Sequence, residues 1–267
     1  MTGIGSAPRP GFLRRVNPLA KIAGPLPAMA YLSVTRDPWV PGVLLVAAAL
    51  LVVAGSGLGP RRLGTGLLVG LLLVGTLTVS FTLLAGGATV DADPSTVAIG
   101  PLEVRASALY AGLSTALRMT ALMGLTLVGG LTTDATDLVR ALIRTLRVPY
   151  RYGYGAIASY RFVGRFSQEL HVIRAAHRAR GVADRNPVRR AGRMAVPLLA
   201  GGIRHAERVA VAMDARAFGA HPTRTERRIV RFRPSDAVFV LACWAFSVAT
   251  VVVLDRQGLV APLVFLT

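Results

Sequence analysis

Arg178-Ala179-Arg180-Gly181 and Ala215-Arg216-Ala217-Phe218-Gly219 are two near-repeats inside one basic stretch, Thr132 to Arg233. Each closes what reads as a helix. From about Tyr150 to Arg180, the residues Ile157, Tyr160, Val163, Phe166, Leu170, Ile173 and His177 recur at three- and four-residue steps. Gly181 then stands where a helix C-terminus needs left-handed backbone. After a turn at Asp184-Arg185-Asn186-Pro187, a further helix is expected from about Val188 to Ala217. Pro197 and Gly201-Gly202 should interrupt it, and Phe218-Gly219 with His221-Pro222 should end it. Ahead of both, Thr132 or Thr133 can cap a shorter helix over 134–147, with Asp134 and Asp137 in its first turn and Pro149 as its stop. Leu138, Leu142 and Ile143 line one face of it while Arg140, Arg144 and Arg147 favour the other, an amphipathic pattern suited to a membrane surface or a groove.

The sequence outside this stretch is of another kind. The whole chain is 53% apolar with a mean hydropathy of +0.53, beyond the range of ordinary soluble domains, yet it carries a net charge of +18. Residues 132–233 hold 21 arginines and seven acids, so +14 of that charge sits in the quoted stretch. Apolar runs flank it. About Ile22 to Val34, behind a basic flank, has the pattern of a signal peptide or of a retained first span; the further spans favour the latter, short and, with Pro25 and Pro27 breaking it, kinked or partly interfacial. Trp39 to Ala54 is a second, and the Gly55–Pro60 turn with Arg61-Arg62 makes a hairpin into Leu63 to Ala85, an uncharged third with a Gly66-x-x-x-Gly70 strip. Ala106 to Leu131 is a fourth and Pro234 to Leu254 the last. The fold expected is all-α and polytopic, with about five transmembrane helices and a set of long helices outside them. Its parts are 1–131 with about four spans, 132–233 in the cytoplasm, and 234–267 with the last span and tail.

Loop charge sets the orientation. An inside N-terminus places Arg61-Arg62 inside, the acidic 86–105 loop (Asp91, Asp93, Glu103) outside as an exposed loop, and the basic block inside. Arg118 falls near the middle of the fourth span, where a charge costs about 2.5–3.5 kcal/mol on insertion scales, so it should face the bundle, a neighbouring chain or water, with an intramembrane or assembly role.

Enzymatic chemistry finds no footing. The single cysteine, Cys243, lies in an apolar run, and the four histidines 171, 177, 205 and 221 lack metal-ligand spacing. No nucleophile elbow is present. The sole lysine, Lys21, is followed by Ile22, so no P-loop exists. No catalytic residue, metal site or cofactor is expected.

An arginine at a helix C-terminus is favourable for local reasons, because the helix end carries negative partial charge. Small neighbours also let a helix tip enter a groove while its guanidinium reaches a carboxylate. Two such tips would suit a dimeric partner with two equivalent grooves. At these residues the chain resembles the transmembrane T component of energy-coupling factor transporters, prokaryotic importers of vitamins and metal ions. The resemblance rests on Ala179-Arg180-Gly181 and Ala215-Arg216-Ala217. It extends to Asn17-Pro18-Leu19-x-Lys21, Thr132-Thr133 with Asp137-Leu138, Arg147-Val148-Pro149 and Tyr160-Arg161-Phe162. It implies that the two triplets dock on two ATP-binding cassette ATPase subunits. The helices would pass the ATPases' motion to a separate substrate-binding membrane subunit, in contact with membrane lipid and with no nucleic acid partner. Ala217 departs from the family pattern, which has glycine there; the methyl removes a left-handed residue and should shift the helix cap to Gly219. Two other readings stay open. One is a membrane-anchored binder of nucleic acid or anionic lipid. The other is a stand-alone transporter, against which stands the lack of a paired carboxylate in the spans.

Overall fold

The computed structural model describes residues 11–57, 59–85, 96–99, 102–181, 186–221 and 230–259. Asp91 and Asp93, most of the turn after Gly181, the connector from Pro222 and the C-terminal tail lie outside the described residues. The architecture is helical, and the contacts divide it into two compact units. One runs to Asp134 and resumes at Phe232; the other is Ala135–Arg231.

Among the described residues of the first unit, three helices are long and apolar enough to cross a membrane: α4 (Pro60–Ala85), α5 (Ala106–Thr132) and α9 (Pro234–Arg256). The 17-residue α3 (Trp39–Gly55) is apolar but shorter, about 25 Å against a hydrocarbon core of about 30 Å. The first apolar stretch does not form one span. It divides into α1 (Pro18–Ala23) and α2 (Leu26–Leu32), because Pro25 and Pro27 withhold the N–H groups a continuous helix would need. The two pieces nonetheless climb along α5. Lys21 bonds to Thr132 at one end of α5, whereas Arg118 and Ser114 bond to the carbonyls of Thr35 and Arg36. That is a rise of about 25 Å at 1.5 Å per residue.

In the loop between α2 and α3, backbone carbonyls that no helix satisfies need partners. Arg118 Nη1 donates to Thr35 O at 3.0 Å, and Ser114 Oγ donates to Arg36 O. The bundle core joins Leu13, Leu32, Val40, Leu44, Ala121 and Leu125. Helices α4 and α5 approach closely at Gly112, where a Cβ would stand 2.9 Å from Thr82 N and 3.0 Å from Thr78 O. The Gly66 and Gly70 strip faces open space instead, with nothing within 4 Å. On α9, Trp244 Nε1 donates to Ala23 O at 3.0 Å, which fastens the last span to α1.

Between α4 and α5, the described part of the loop is an antiparallel hairpin: β1 (Thr96–Ile99) pairs with β2 (Leu102–Arg105), Thr96 opposite Arg105 and Ile99 opposite Leu102. Alternating Val97, Ile99 and Val104 supply the β-branched residues that favour it.

Among its described residues the second unit has three helices: α6 (Ala135–Thr145), α7 (Tyr150–Ala179) and α8 (Pro187–Asp214). Helix α6 is shorter than expected from its sequence pattern and ends ahead of Arg147, which adopts φ 53°. Gly153 lets α6 and α7 meet, since a Cβ there would collide with Ile143. Helices α7 and α8 run antiparallel. Tyr150 and Tyr154 meet Phe218, Phe162 meets His205, and Phe166 and Glu169 meet Gly202 and Gly201. Contrary to the sequence expectation, α8 is continuous through Pro197 and Gly201-Gly202. The glycines are a seat for α7: a Cβ at Gly202 would stand 3.0 Å from the Phe166 ring, so packing across the pair holds the helix where its own propensity is poor.

Candidate functional site

Both arginine triplets end in a left-handed residue whose N–H reaches back to the carbonyl three residues earlier. At the end of α7, Gly181 N–H donates to Arg178 O at 3.1 Å, and Gly181 sits at φ +66°. At the end of α8, Ala217 N–H donates to Asp214 O at 2.9 Å and Phe218 N–H to Met213 O at 3.0 Å. These two bonds are the pair that defines a Schellman motif, and they place Ala217 at the left-handed position after the cap. Ala217 adopts φ 52° despite its methyl group. The sequence expectation that its methyl would move the cap to Gly219 is therefore corrected. Gly219 is also left-handed, at φ 93°, but it lies two residues further on. The hydrogen bonds to Met213 and Asp214 outweigh a strain of about 1–2 kcal/mol.

In each triplet, then, the third residue makes the left-handed turn; Arg180 is the cap of α7, whereas α8 ends at Asp214 with Ala215 as its cap and Arg216 one residue beyond. Arg180 caps α7 at φ −86°, ψ 7°. Ala179, Arg180, Gly181, Ala215, Arg216 and Ala217 are all exposed. A cap arginine is placed over the carbonyl end of its helix, where the dipole favours a cation. Because α7 and α8 are antiparallel, the two caps lie at opposite ends of the pair. Phe218 is against Tyr150 and Tyr154, and Arg180 is a further 26 residues along α7, about 40 Å at 1.5 Å per residue.

The two ends differ in their support. The Arg216 end is braced by Phe218, whose ring meets Tyr150 edge-on at 5.6 Å and Tyr154 at 6.4 Å. Tyr150 Oη donates to His221 O at 2.6 Å, and Arg151 Nη2 donates to Gly219 O. Behind this end is a cavity of about 970 Å³, lined by Arg140, Arg161, Arg165, Arg216 and the rings of Tyr150, Tyr154 and Phe162, with no carboxylate in its lining. Arg140 pairs with Asp137 at 3.1 Å. The Arg180 end has no comparable brace among the described residues.

Arg118, in the first unit, is engaged within the chain by the Thr35 carbonyl. Of the histidines, His205 packs edge-on against Phe162 at 4.8 Å. Among the described residues no three His, Cys, Asp or Glu side chains cluster to hold a metal. Three buried charges among the described residues escaped the sequence reading: Lys21 is 2% exposed, and Asp37 and Asp236 are 1% exposed. The partners of Lys21 and Asp236 lie 111 and 219 residues away, and only the Asn17-x-x-x-Lys21 spacing hinted at a role.

Fold and site define a polytopic helical membrane protein that carries a separate, arginine-rich unit of three helices. Residues 11–226 match the family model for CbiQ, described as cobalt transport protein, and the chain belongs to that family. Two curated relatives named energy-coupling factor transporter transmembrane protein EcfT agree with the resemblance carried by the motifs. The protein of Thermosediminibacter oceani is 27% identical over 261 residues, covering 91% of this chain and 94% of the relative. That of Listeria innocua is 26% identical over 257 residues, covering 90% and 93%. A Bifidobacterium longum protein, provisionally named an ABC transporter ATP-binding protein, is 27% identical over 263 residues, 92% of this chain but 32% of the relative. The chain thus spans about a third of that protein's length.

Proposed function

We propose that this chain is the transmembrane coupling component of an energy-coupling factor importer. The arginine triplets at 179–181 and 215–217 dock on two ATP-binding cassette ATPase subunits. Residues 132–233 and the N-terminus lie in the cytoplasm of a prokaryotic cell. Helices α6 to α8 pass the approach and separation of the ATPases to a separate membrane subunit that binds a vitamin or metal ion. The chain itself is non-catalytic: Arg180 and Arg216 transmit motion, and no bond is made or broken at either.

The observation that carries this reading is the pair of like helix endings. Two exposed arginines each stand just before a left-handed residue at a helix C-terminus, about 40 Å apart at the two ends of one antiparallel helix pair. A twofold partner with an acidic groove on each half suits that arrangement. Exposed apolar residues along α7 and α8, among them Tyr160, Val163, Val172, Val196 and Ile203, offer a surface for the membrane subunit. The relatives' names support both the ATPase partner and the transmembrane role.

The test is Arg180→Glu combined with Arg216→Glu in the complex purified from native membranes. The ATPase subunits should be lost from the preparation while the variant chain elutes as a folded species. ATPase-driven uptake by the double variant at the parental rate would refute the assignment. The acid-free cavity at 140–216 favours a second reading, an anion-binding surface. Salt-sensitive binding of oligonucleotides or anionic vesicles, with no ATPase copurifying, would support it.

A further inference from the structure

The chain passes from the membrane unit to the 135–231 unit after Asp134 and returns at Phe232. Load carried along the backbone from the arginine-tipped helices therefore enters the membrane unit at the end of α5 and the start of α9. Both joints are fastened to the same six-residue helix, α1.

At the exit, Lys21 Nζ donates to the carbonyl of Thr132, the last residue of α5, at 2.9 Å, and to Thr133 Oγ1 at 3.5 Å. At the return, Asp236 in the first turn of α9 accepts two backbone N–H groups. Oδ1 takes that of Asn17 at 2.9 Å, and Oδ2 takes that of Arg233 at 2.7 Å. The Asn17 side chain meanwhile caps α1 through Leu19 N at 3.0 Å. Asn17 and Lys21 are four residues apart, one helical turn, so the two fastenings share one rigid piece.

Burying a charge is costly unless it gains strong partners, and here both charged side chains are buried. Each is engaged by the backbone of a joint. Each also sits at the helix end that favours its sign: Lys21 at the C-terminus of α5, Asp236 at the N-terminus of α9. The remainder of the chain uses arginine for every other basic side chain, so the buried lysine marks a position where a compact ammonium, with its three donors, is needed.

We infer that Lys21 and Asp236 are positioning residues, the two ends of a clamp through α1 that holds both roots of the 135–231 unit at a fixed separation. The inference rests on the coupling function proposed above. With the roots fixed, movement of the helix tips turns the membrane helices. With either root loose, the same movement is absorbed at the joint.

The experiment uses the full complex in proteoliposomes and the variants Lys21→Met and Asp236→Asn. Both should keep the ATPase subunits bound and hydrolysing, while substrate taken up per ATP falls by about tenfold or more, as expected for loss of one charge-assisted hydrogen bond. An unchanged ratio in both variants would overturn the proposal. A second measurement guards against a variant that assembles poorly. Spin labels at positions 134 and 232, in a Cys243→Ala background, report the root-to-root distance by electron paramagnetic resonance. The parent should give one narrow distribution and each clamp variant a broad one; equal widths would refute the clamp. Arg180→Glu should leave the width unaltered. If no ATPase accompanies the parent chain, the coupling function fails, and the width still decides whether the clamp exists.

Discussion

Ala217 holds a left-handed conformation that glycine would adopt freely, and its counterpart in the other triplet is Gly181. Exchanging the two residue types is a direct test of the two like helix endings. For an L-residue, left-handed backbone costs about 1–2 kcal/mol, and glycine returns about 0.5–1 kcal/mol of that as extra freedom in the opened state. Ala217→Gly should therefore stabilise the α8 end by about 0.5–1 kcal/mol, which is about two- to fivefold in the local opening equilibrium. Gly181→Ala should destabilise the α7 end by a similar amount. A Cβ at Gly181 would meet nothing within 4 Å, so that cost is purely conformational. Hydrogen exchange of the full chain in nanodiscs measures both. Slower exchange at Arg216 to Phe218 is expected in the first variant, and faster exchange at Arg180 and Gly181 in the second. If Ala217→Gly leaves those amides unchanged or less protected, the Schellman assignment at α8 is wrong, and with it the equivalence of the two triplets.

Gly112→Ala should lower the Tm of the purified chain, because the new Cβ would press on the backbone of Thr78 and Thr82 and force α4 from α5, at about 1–3 kcal/mol. Gly66→Ala faces open space and should leave Tm unchanged or slightly raised by better helix propensity. Arg118→Leu strands the Thr35 carbonyl and should cost about 1–3 kcal/mol, visible as a lower midpoint of thermal aggregation. Phe218→Ala removes two edge-to-face contacts worth about 0.5–1.5 kcal/mol each, so it should weaken ATPase retention in a salt-wash assay without altering Arg216 itself.

Much of the helical plan could be read locally. Gly181 was placed at the left-handed cap from its position after the last periodic residue, and the Gly55–Pro60 turn bounded α3 and α4. What escaped depended on distant partners. Gly201-Gly202 looks like a break in one dimension, and only Phe166 and Glu169, more than 30 residues earlier, turn it into a packing seat. Ala217 opposes its own conformation, which two hydrogen bonds to the preceding turn impose. The first apolar stretch announced its kink through two prolines. It did not announce that Arg118 and Ser114 would satisfy carbonyls of the loop that follows α2. At the candidate site, the triplets were legible as motifs. Their placement at opposite ends was not, since it follows from how α7 and α8 pair.

The antiparallel pairing of α7 and α8 makes the helix pair nearly its own mirror in function. A half-turn about an axis through its middle carries each helix onto the other and each terminal arginine onto its counterpart. One asymmetric polypeptide thereby presents an approximate diad, generated by a hairpin of two helices with like endings. A homodimer and a heterodimer of similar halves would meet it equally well, and either half would be read by the same chemistry in the same sense. The brace of Phe218 at one end alone breaks this internal symmetry. It gives the molecule a means of telling its two otherwise equivalent ends apart.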